Sequence, residues 1–205
     1  MGNLLTTPAS GAQAADHRVR LMEGMAAAVS EKGYAATTIA DIVRHSRVSK
    51  RTFYEHFADR EACLLACYAE GSELALRAVA EAARAGDSWP QRVRAATHAY
   101  LAALQARPAL TRTLLVEVLG AGPRALALRR TVLQRFAKLL CDLVEAGRRD
   151  HPEVRELTPA MATALVGGIN ELVLSTVERG GVGELGQLEE TIAGLVRAVL
   201  APPRP

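Results

Sequence analysis

The sequence is poor in aromatic residues, which make up 4% of its 205 positions. It has three cysteines, too few for the disulfide framework of a small secreted domain, so we expect a reducing, cytoplasmic location. No uninterrupted apolar run reaches the roughly 18 residues that a membrane span needs, and alternation of period two is almost absent. These shortages argue against a secreted, membrane-embedded or β-rich protein, and we expect no membrane partner.

Apolar residues recur instead at spacings of three and four, the period of an α-helix. The composition is ordinary for a globular protein, with 49% apolar and 23% charged residues. The length suits one large domain or two small ones. We predict an all-α fold of about nine helices, in which the first three are short and closely connected.

Local signals give the helix boundaries. Gly33 is placed to end the first helix, and residues 38–41 resemble a capping box that opens the second. The third helix is expected over 49–56, and Asp59 is expected to cap the fourth. Thr158-Pro159 has the form of an N-cap followed by an N1 proline for the eighth helix.

Positive charge is concentrated between residues 44 and 60. The net charge of the chain is +3, and this segment alone carries five basic and two acidic residues, which equals the whole excess. Its basic residues are Arg44, Arg47, Lys50, Arg51 and Arg60. Such a cluster favours contact with an anionic partner, although a solvated helix face would have the same composition.

Two short helices joined by a tight turn are the helix-turn-helix arrangement, whose second helix enters the DNA major groove. The stretch SKRTFYEHF at 49–57 fits that second helix. Phe53 and Phe57 share one face because they are four residues apart, so we expect them to anchor the helix in the core. The rings then serve packing, and the charges remain for contact.

The other residues of this stretch fall into two groups, according to the part of the DNA that their side chains can contact. Lys50, Arg51 and Thr52 lie on the first turn, where base edges are read. Tyr54 and His56 carry polar tips that can reach phosphate oxygens, which receive most protein–DNA hydrogen bonds. We therefore predict base contacts from the first three residues and backbone contacts from the last two.

The continuous segment TTIADIVRHSRVSKRTFYEHFADREACLL, from Thr37 to Leu65, resembles the DNA-binding signature of the tetracycline-repressor (TetR) family of bacterial regulators. The later helices resemble that family only in number and length. The resemblance implies a homodimer that binds double-stranded DNA at a palindromic operator and is released by a small-molecule effector, with no cofactor. It also implies an arm at 1–15, a DNA-binding domain at 16–60 and an effector-binding and dimerisation domain at 61–205.

The resemblance and the basic cluster together give a set of candidate DNA-contacting residues. These are Thr38, Arg44, Arg47, Ser49, Lys50, Arg51, Thr52, Tyr54, His56 and Arg60. Arg60 occupies the place of a lysine common in the family, so a phosphate contact is expected there. Arg47 stands where the family usually has glycine, and a left-handed conformation at a non-glycine residue costs roughly 1 kcal/mol.

The C-terminal helices carry the remaining predictions. Trp89, Thr97 and Tyr100 on the fifth helix and Asn170 on the eighth are candidates for an effector pocket. Plain core packing is an equal alternative for Tyr100, and a satisfied core or interface amide is the alternative for Asn170. The helices near 158–180 and 184–200 are apolar on more than one side, so we expect the homodimer to form through them.

Cys63 and Cys67, four residues apart on one helix, could hold a metal or sense oxidants, or could simply fill the core. We predict no metal site, and no enzyme, because G-x-S-x-G, H-E-x-x-H and P-loop motifs are absent from the sequence. The function that the sequence favours is a ligand-responsive transcriptional repressor. The alternative is a helical protein-interaction module that does not read DNA sequence.

Overall fold

A computed structural model of the protein describes residues 9–86 and 88–201. These residues form nine α-helices and two short 3-10 helices and contain no strand, which confirms the predicted all-α class. The bounds of the α-helices are Ala9–Ala36 (α1), Ile39–Ser46 (α2), Lys50–His56 (α3), Arg60–Ala82 (α4), Trp89–Gln105 (α5), Pro108–Leu115 (α6), Pro123–Arg148 (α7), Pro159–Glu178 (α8) and Glu189–Leu200 (α9).

Residues 9–15, which the sequence predicted to belong to an N-terminal arm, form the beginning of α1. Residues 9–15 are rich in alanine, a strong helix former, and they extend the helix that the apolar pattern placed further along. Residues 1–8 lie outside the described residues, as do Asp87, within the expected break after α4, and the tail at 202–205. At its other end α1 is interrupted at Gly33, which has φ 77°, as the helix-stop prediction required.

Two predicted helices are divided in the structure. The sixth, expected over 109–119, is α6 followed by a 3-10 helix at Glu117–Gly120. The ninth, expected over 184–200, is a 3-10 helix at Val182–Leu188 followed by α9. Glycines at 183 and 186 weaken an α-helix in that first segment, although its apolar spacing resembles one.

The first three helices pack around a small core that extends onto α4. Its buried side chains come from all four helices, and the largest are Leu21, Met25, Val29, Ile42, Phe53, Phe57 and Leu64. Helices α1 and α2 approach so closely at Gly24 that a Cβ there would lie 2.7 Å from the Ile42 carbonyl oxygen. We refer to α1–α3 as the head.

Helices α4–α9 form a second, larger set of cores, and α8 packs against α7 within it. By length and composition α8 could cross a membrane, with a mean hydropathy of 1.4 over an 18-residue window that is 39% buried. The sequence of α8 contains no uninterrupted apolar run long enough to span a membrane, because small and polar residues are scattered through it, but its mean hydropathy remains high. In this fold α8 serves as a core helix, with Ala162, Leu165 and Val173 buried.

Gly24→Ala should destabilise the protein by about 1–3 kcal/mol, because the added methyl group meets a carbonyl of α2 that cannot move without shifting that helix. Thermal unfolding of the variant checks this expectation. Glu23→Ala, at an exposed neighbouring position of α1, is the matched control and should unfold within about 0.5 kcal/mol of the wild type. Equal stability of Gly24→Ala and wild type would show that the two helices do not approach as described.

Candidate nucleic-acid interface and ligand cavity

Helix α3 has seven residues and is fixed by both its cap and its buried face. The Ser49 hydroxyl accepts a hydrogen bond from the Thr52 backbone N–H at 3.0 Å. Phe53 is fully buried and Phe57 is 4% exposed, and their rings lie 5.8 Å apart between centroids. These contacts leave the opposite face of α3 towards solvent, as the sequence predicted for the two aromatic anchors.

The solvent face of α3 carries the residues that the sequence assigned to DNA. Lys50 is exposed and has no side-chain partner among the described residues, and the Arg51 side chain is 90% exposed despite an ion pair with Glu55 at 3.2 Å. Tyr54 is 54% exposed, a high value for a residue whose neighbour Phe53 is fully buried. A cationic first turn followed by an exposed phenol matches the composition of a DNA-reading helix.

His56 and Thr52 are partly buried and therefore reach less far. The His56 ring lies 6.4 Å from that of His17 on α1, between centroids. The hydroxyl groups of Thr52 and Ser49 are 2.9 Å apart and hydrogen-bonded to each other. Each side chain still has an open side, so their DNA contacts stay predictions.

The turn between α2 and α3 contains a strained residue and a support that the sequence did not predict. Arg47 adopts φ 55° and ψ 38°, the left-handed conformation, and is the sole non-glycine residue with positive φ within 9–86 and 88–201. Arg20 of α1 donates hydrogen bonds to the carbonyl oxygens of Ser46 and Arg47, at 2.7 and 3.0 Å. This contact from outside the motif offsets the cost of a side chain at the glycine position.

At the start of α2, a capping box holds Thr38, Asp41 and their backbone groups together. The Thr38 hydroxyl donates to the Asp41 carboxylate at 2.6 Å, which Lys32 also contacts at 2.6 Å. The hydrogen bond from Lys32 is the main reason why the pKa of Asp41 lies below its usual range. Thr38 therefore has a capping role in addition to its predicted DNA contact.

Arg44, at the end of α2, is exposed but shares its charge with two acids. It lies 3.3 Å from Glu31 and 3.6 Å from Asp41. Hydrogen bonds from His45 and then Arg44 lower the pKa of Glu31, so this carboxylate stays ionised. A phosphate approaching Arg44 would compete with Glu31 for the guanidinium.

The side chain of Arg60 makes contacts within the protein that the sequence did not predict. Its guanidinium lies over the Tyr34 ring, 4.3 Å from the centroid, and donates to the carbonyl oxygens of Tyr34 and Thr37. It thus joins the start of α4 to residues 34–38, which lie between the break at Gly33 and α2 and are called the connector below. All of these bonds come from Nη1, and Nε and Nη2 have no hydrogen-bond partner among the described residues, so the phosphate contact of Arg60 stays a prediction.

A cavity of 530 Å³ lies among the helices that follow the head, within the size range of small-molecule sites. All four predicted effector residues line it: Trp89, Thr97, Tyr100 and Asn170. The Thr97 hydroxyl donates to the Val93 carbonyl oxygen at 2.8 Å and is thereby satisfied within α5. The Trp89 ring lies against Gly147 of α7, where a Cβ would come within 2.6 Å of it.

Several polar side chains of the cavity wall have no hydrogen-bond partner among the described residues. Asn170 is 8% exposed, and its unpaired amide lines the cavity. The hydroxyl groups of Ser72, Tyr68 and Tyr100 line the same cavity and are likewise unpaired. Burial raises the pKa of Tyr68 to about 12 and that of Tyr100 further, so both phenols stay protonated and can donate. Because no fully buried side-chain nitrogen or oxygen among the described residues lacks a partner, these unpaired atoms are accessible from the cavity and available to a ligand.

The sequence prediction missed the contribution of α4 to this cavity. The lining residues on α4 are Tyr68, Gly71, Ser72, Ala75 and Val79, and Ala83 and Arg84 follow directly after the helix. Most are small and recur at spacings of three and four, so one face of α4 faces inwards without filling the space. That stripe of small residues is a signal in the sequence that could have identified the cavity wall.

Cys63 and Cys67 fill the core of the head and α4. Both are buried, and their thiols point to the carbonyl oxygens of Leu21 and Met22, at 3.8 and 3.4 Å. The hydrogen bond with Cys63, followed by burial, raises the pKa of the Cys67 thiol. A protonated, inaccessible thiol reacts slowly, which favours the packing role over oxidant sensing. The described residues also contain no group of three His, Cys, Asp or Glu that could hold a metal ion.

A short, exposed, cationic second helix on a three-helix head defines the class of helix-turn-helix DNA-binding proteins. Residues 21–67 match the family model described as bacterial regulatory proteins, tetR family. No curated protein sequence matches the chain. Residues 21–67, which span most of the head and the first part of α4, therefore form a DNA-binding domain of the tetR family of bacterial regulatory proteins.

Solved structures show the same fold over nearly the whole chain. TylP, a tetR regulator from Streptomyces fradiae, is 26% identical, with a TM-score of 0.71, 93% of this chain covered and 89% of that one. FadR from Bacillus subtilis, solved in complex with stearoyl-CoA, is 15% identical, with a TM-score of 0.76 and coverage of 87% and 96%. PfmR from Thermus thermophilus is 19% identical, with a TM-score of 0.68 and coverage of 98% and 100%.

Arg47→Gly should stabilise the folded protein by about 1 kcal/mol, because glycine adopts the left-handed conformation without a Cβ penalty. Urea unfolding of the two proteins checks this expectation. Arg47→Ala keeps the penalty and removes the charge, so it is the control that separates backbone strain from electrostatics. If Arg47→Gly is no more stable than Arg47→Ala, the turn does not hold residue 47 in the left-handed region.

Proposed function

We propose that the protein is a ligand-responsive repressor that binds a palindromic operator as a homodimer. The observation that carries the proposal is the geometry of α3, which buries Phe53 and Phe57 and presents Lys50, Arg51 and Tyr54 to solvent. On this proposal, residues 16–60 bind DNA, and residues 61–205 bind the effector and form the dimer. The alternative is a helical interaction module without DNA specificity, and the experiments below distinguish the two functions.

DNA affinity on this proposal comes largely from neutralised phosphates. Arg44 and Arg47 precede α3, Lys50 and Arg51 lie on its first turn, and His56 lies on its last turn. Binding should therefore weaken steeply with salt, since each phosphate contact releases counterions. In a two-fold dimer each head reads one half-site, and the half-sites lie a helical turn or more apart.

The dimer is proposed to form through α8 and α9, which expose small and apolar residues together. On α8 the exposed positions include Ala164, Gly167 and Gly168, where an added Cβ at either glycine would meet nothing within 4 Å. On α9 Leu195 is 36% exposed and Gly194 lies beside it. Small residues allow the helices of two subunits to approach closely, and the exposed leucine would be covered by the partner.

The cavity is proposed as the effector site. It joins a mostly apolar wall to the unpaired polar groups of Tyr68, Tyr100 and Asn170, a combination typical of small-molecule sites. The FadR structure of the same fold holds stearoyl-CoA, which has a long apolar acyl chain, and this supports an effector with an apolar part. The cavity also reaches α6 through Leu114 and Leu115, and α6 packs on α1 of the head, so occupancy can change the position of the head.

The DNA-binding proposal is tested by selecting bound fragments from sheared source DNA at low and moderate salt. We expect one palindromic site to be retained. On that site Lys50→Ala should lose about 1–3 kcal/mol of binding free energy and relax specificity at one base position of each half-site. Fluorescence anisotropy with specific and random duplexes measures both effects.

Arg149→Ala is the control for this experiment, because it removes the same charge from an exposed side chain that follows α7 and has no partner among the described residues. It should bind the site as the wild type does. Equal losses of Lys50→Ala on specific and random DNA would reassign Lys50 to the phosphates. Retention of no specific site by wild-type protein would favour the interaction module.

Leu195→Glu should convert the dimer into monomers, because a carboxylate would be buried at the centre of the proposed contact. Light scattering of the purified protein measures the mass. Leu126→Glu is the matched control, since Leu126 is 44% exposed on α7 and lies outside α8 and α9. A dimer that survives Leu195→Glu, or that Leu126→Glu disrupts, would place the interface elsewhere.

A further inference from the structure

The cavity is long and follows one helix. Its wall on α4 runs from Tyr68 to Val79, which at a rise of about 1.5 Å per residue corresponds to about 16 Å, and it continues beyond the helix along Ala83 and Arg84. The antiparallel α5 follows it from Leu104 to Trp89. A cavity of 530 Å³ over such a length is narrow, so it fits an elongated molecule better than a compact one.

One end of the cavity is closed and apolar. Tyr68, Leu104, Leu114 and Val132 meet there, and each of these side chains is at most 8% exposed. The single polar atom among these four side chains is the Tyr68 hydroxyl, which stays protonated. A charged group placed at this end would lose its hydration without a counter-charge, which is strongly unfavourable.

The other end is open and cationic. Arg84 at the end of α4 is exposed, and its guanidinium has no partner among the described residues. Arg92, on the first turn of α5, is held by a hydrogen bond from its Nε to the Gly86 carbonyl oxygen at 2.9 Å. Its terminal nitrogen lies 3.7 Å from Asp150, a long ion-pair distance. Two guanidinium groups thus stand where the cavity meets solvent.

The sole acidic residue on the cavity wall is Asp142 of α7, within the described ranges 9–86 and 88–201. Lys138 donates to both of its carboxylate oxygens, at 2.9 and 2.6 Å. This ion pair leaves little negative charge for a cationic ligand. The charge of the cavity is therefore positive, and it is confined to the open end.

We propose that the effector is an elongated amphiphile with an apolar body and one anionic end, which binds with the anion at Arg84 and Arg92. The body extends towards the closed end, where Tyr100 and Asn170 accommodate uncharged oxygen atoms along it. The proposal rests on the cavity being the effector site and adds the chemical class and orientation of its ligand. Guanidinium groups suit a carboxylate or phosphate because they donate two parallel hydrogen bonds.

Trp89 provides the measurement, because it is the sole tryptophan of the chain and lies at the open end. Its fluorescence in the full-length protein is titrated with hexadecanoate, hexadecanol and hexadecyltrimethylammonium, each below its aggregation concentration. These probes share one chain and differ in charge. We expect hexadecanoate to bind at least about tenfold tighter than hexadecanol, with the ammonium compound weakest, since one charge-assisted hydrogen bond is worth that factor.

Arg84→Gln and Arg92→Gln should each remove most of the preference for hexadecanoate and leave hexadecanol affinity unchanged. Arg130→Gln, at an exposed position of α7 outside the cavity wall, is the matched control and should change neither affinity. Melting temperature and retention of the selected DNA site show whether each variant is folded. Unchanged hexadecanol affinity separates loss of the anion contact from collapse of the cavity.

Equal affinity of hexadecanoate and hexadecanol in the wild type would overturn the anionic end. So would a preference that both arginine variants keep. Failure of all three probes to change Trp89 fluorescence would overturn the amphiphile class itself. Retention of a specific DNA site is measured independently of the probes. A failure of the ligand proposal is therefore distinguishable from a failure of the regulator proposal.

Discussion

Burial of Phe53 and Phe57 holds a helix of seven residues that could not persist alone in water. The two rings pack in a cluster with residues of α1, α2 and α4, and the guanidinium of Arg18 lies 4.9 Å from the centre of the Phe57 ring. Because both rings point inwards, the first turn of α3 has to point outwards. The orientation of the cationic residues is thus a consequence of core packing, and a change in that core would move every side chain proposed to meet DNA.

The head is also joined to the rest of the chain through the short connector between α1 and α2. The Tyr34 backbone N–H donates to the Glu117 carboxylate at 2.8 Å, while Arg60 covers the Tyr34 ring and binds the carbonyl oxygens that follow. Glu117 belongs to the segment after α6, and Arg60 begins α4. Two elements of the larger domain therefore contact the residues that lead into the helix-turn-helix, and the position of the head depends on the positions of α4 and α6.

The sequence allowed accurate prediction wherever a local rule decides the structure. The capping box at Thr38, the aromatic anchors of α3 and the helix stop at Gly33 depend on neighbours within a few residues. The support of the turn by Arg20 and the inward position of Arg60 depend on contacts across 23 residues or more, for which the sequence carries no local pattern. Side chains of α5 and α8 that predict a pocket do line the cavity, whereas the wall on α4 consists mostly of small residues, which carry few rings or polar groups that would mark a ligand site.

The same geometry explains how a ligand could reach the DNA-binding surface without touching it. Leu114 and Leu115 line the cavity at its closed end, and both belong to the last turn of α6. Glu117 follows two residues later and accepts the hydrogen bond from Tyr34. On the proposed function, a molecule that fills the closed end would push on this turn, and the displacement would pass along a few covalent bonds to a contact on the connector. This proposed coupling requires only that α6 has two positions, of which the ligand favours the one that misaligns the heads of the proposed dimer.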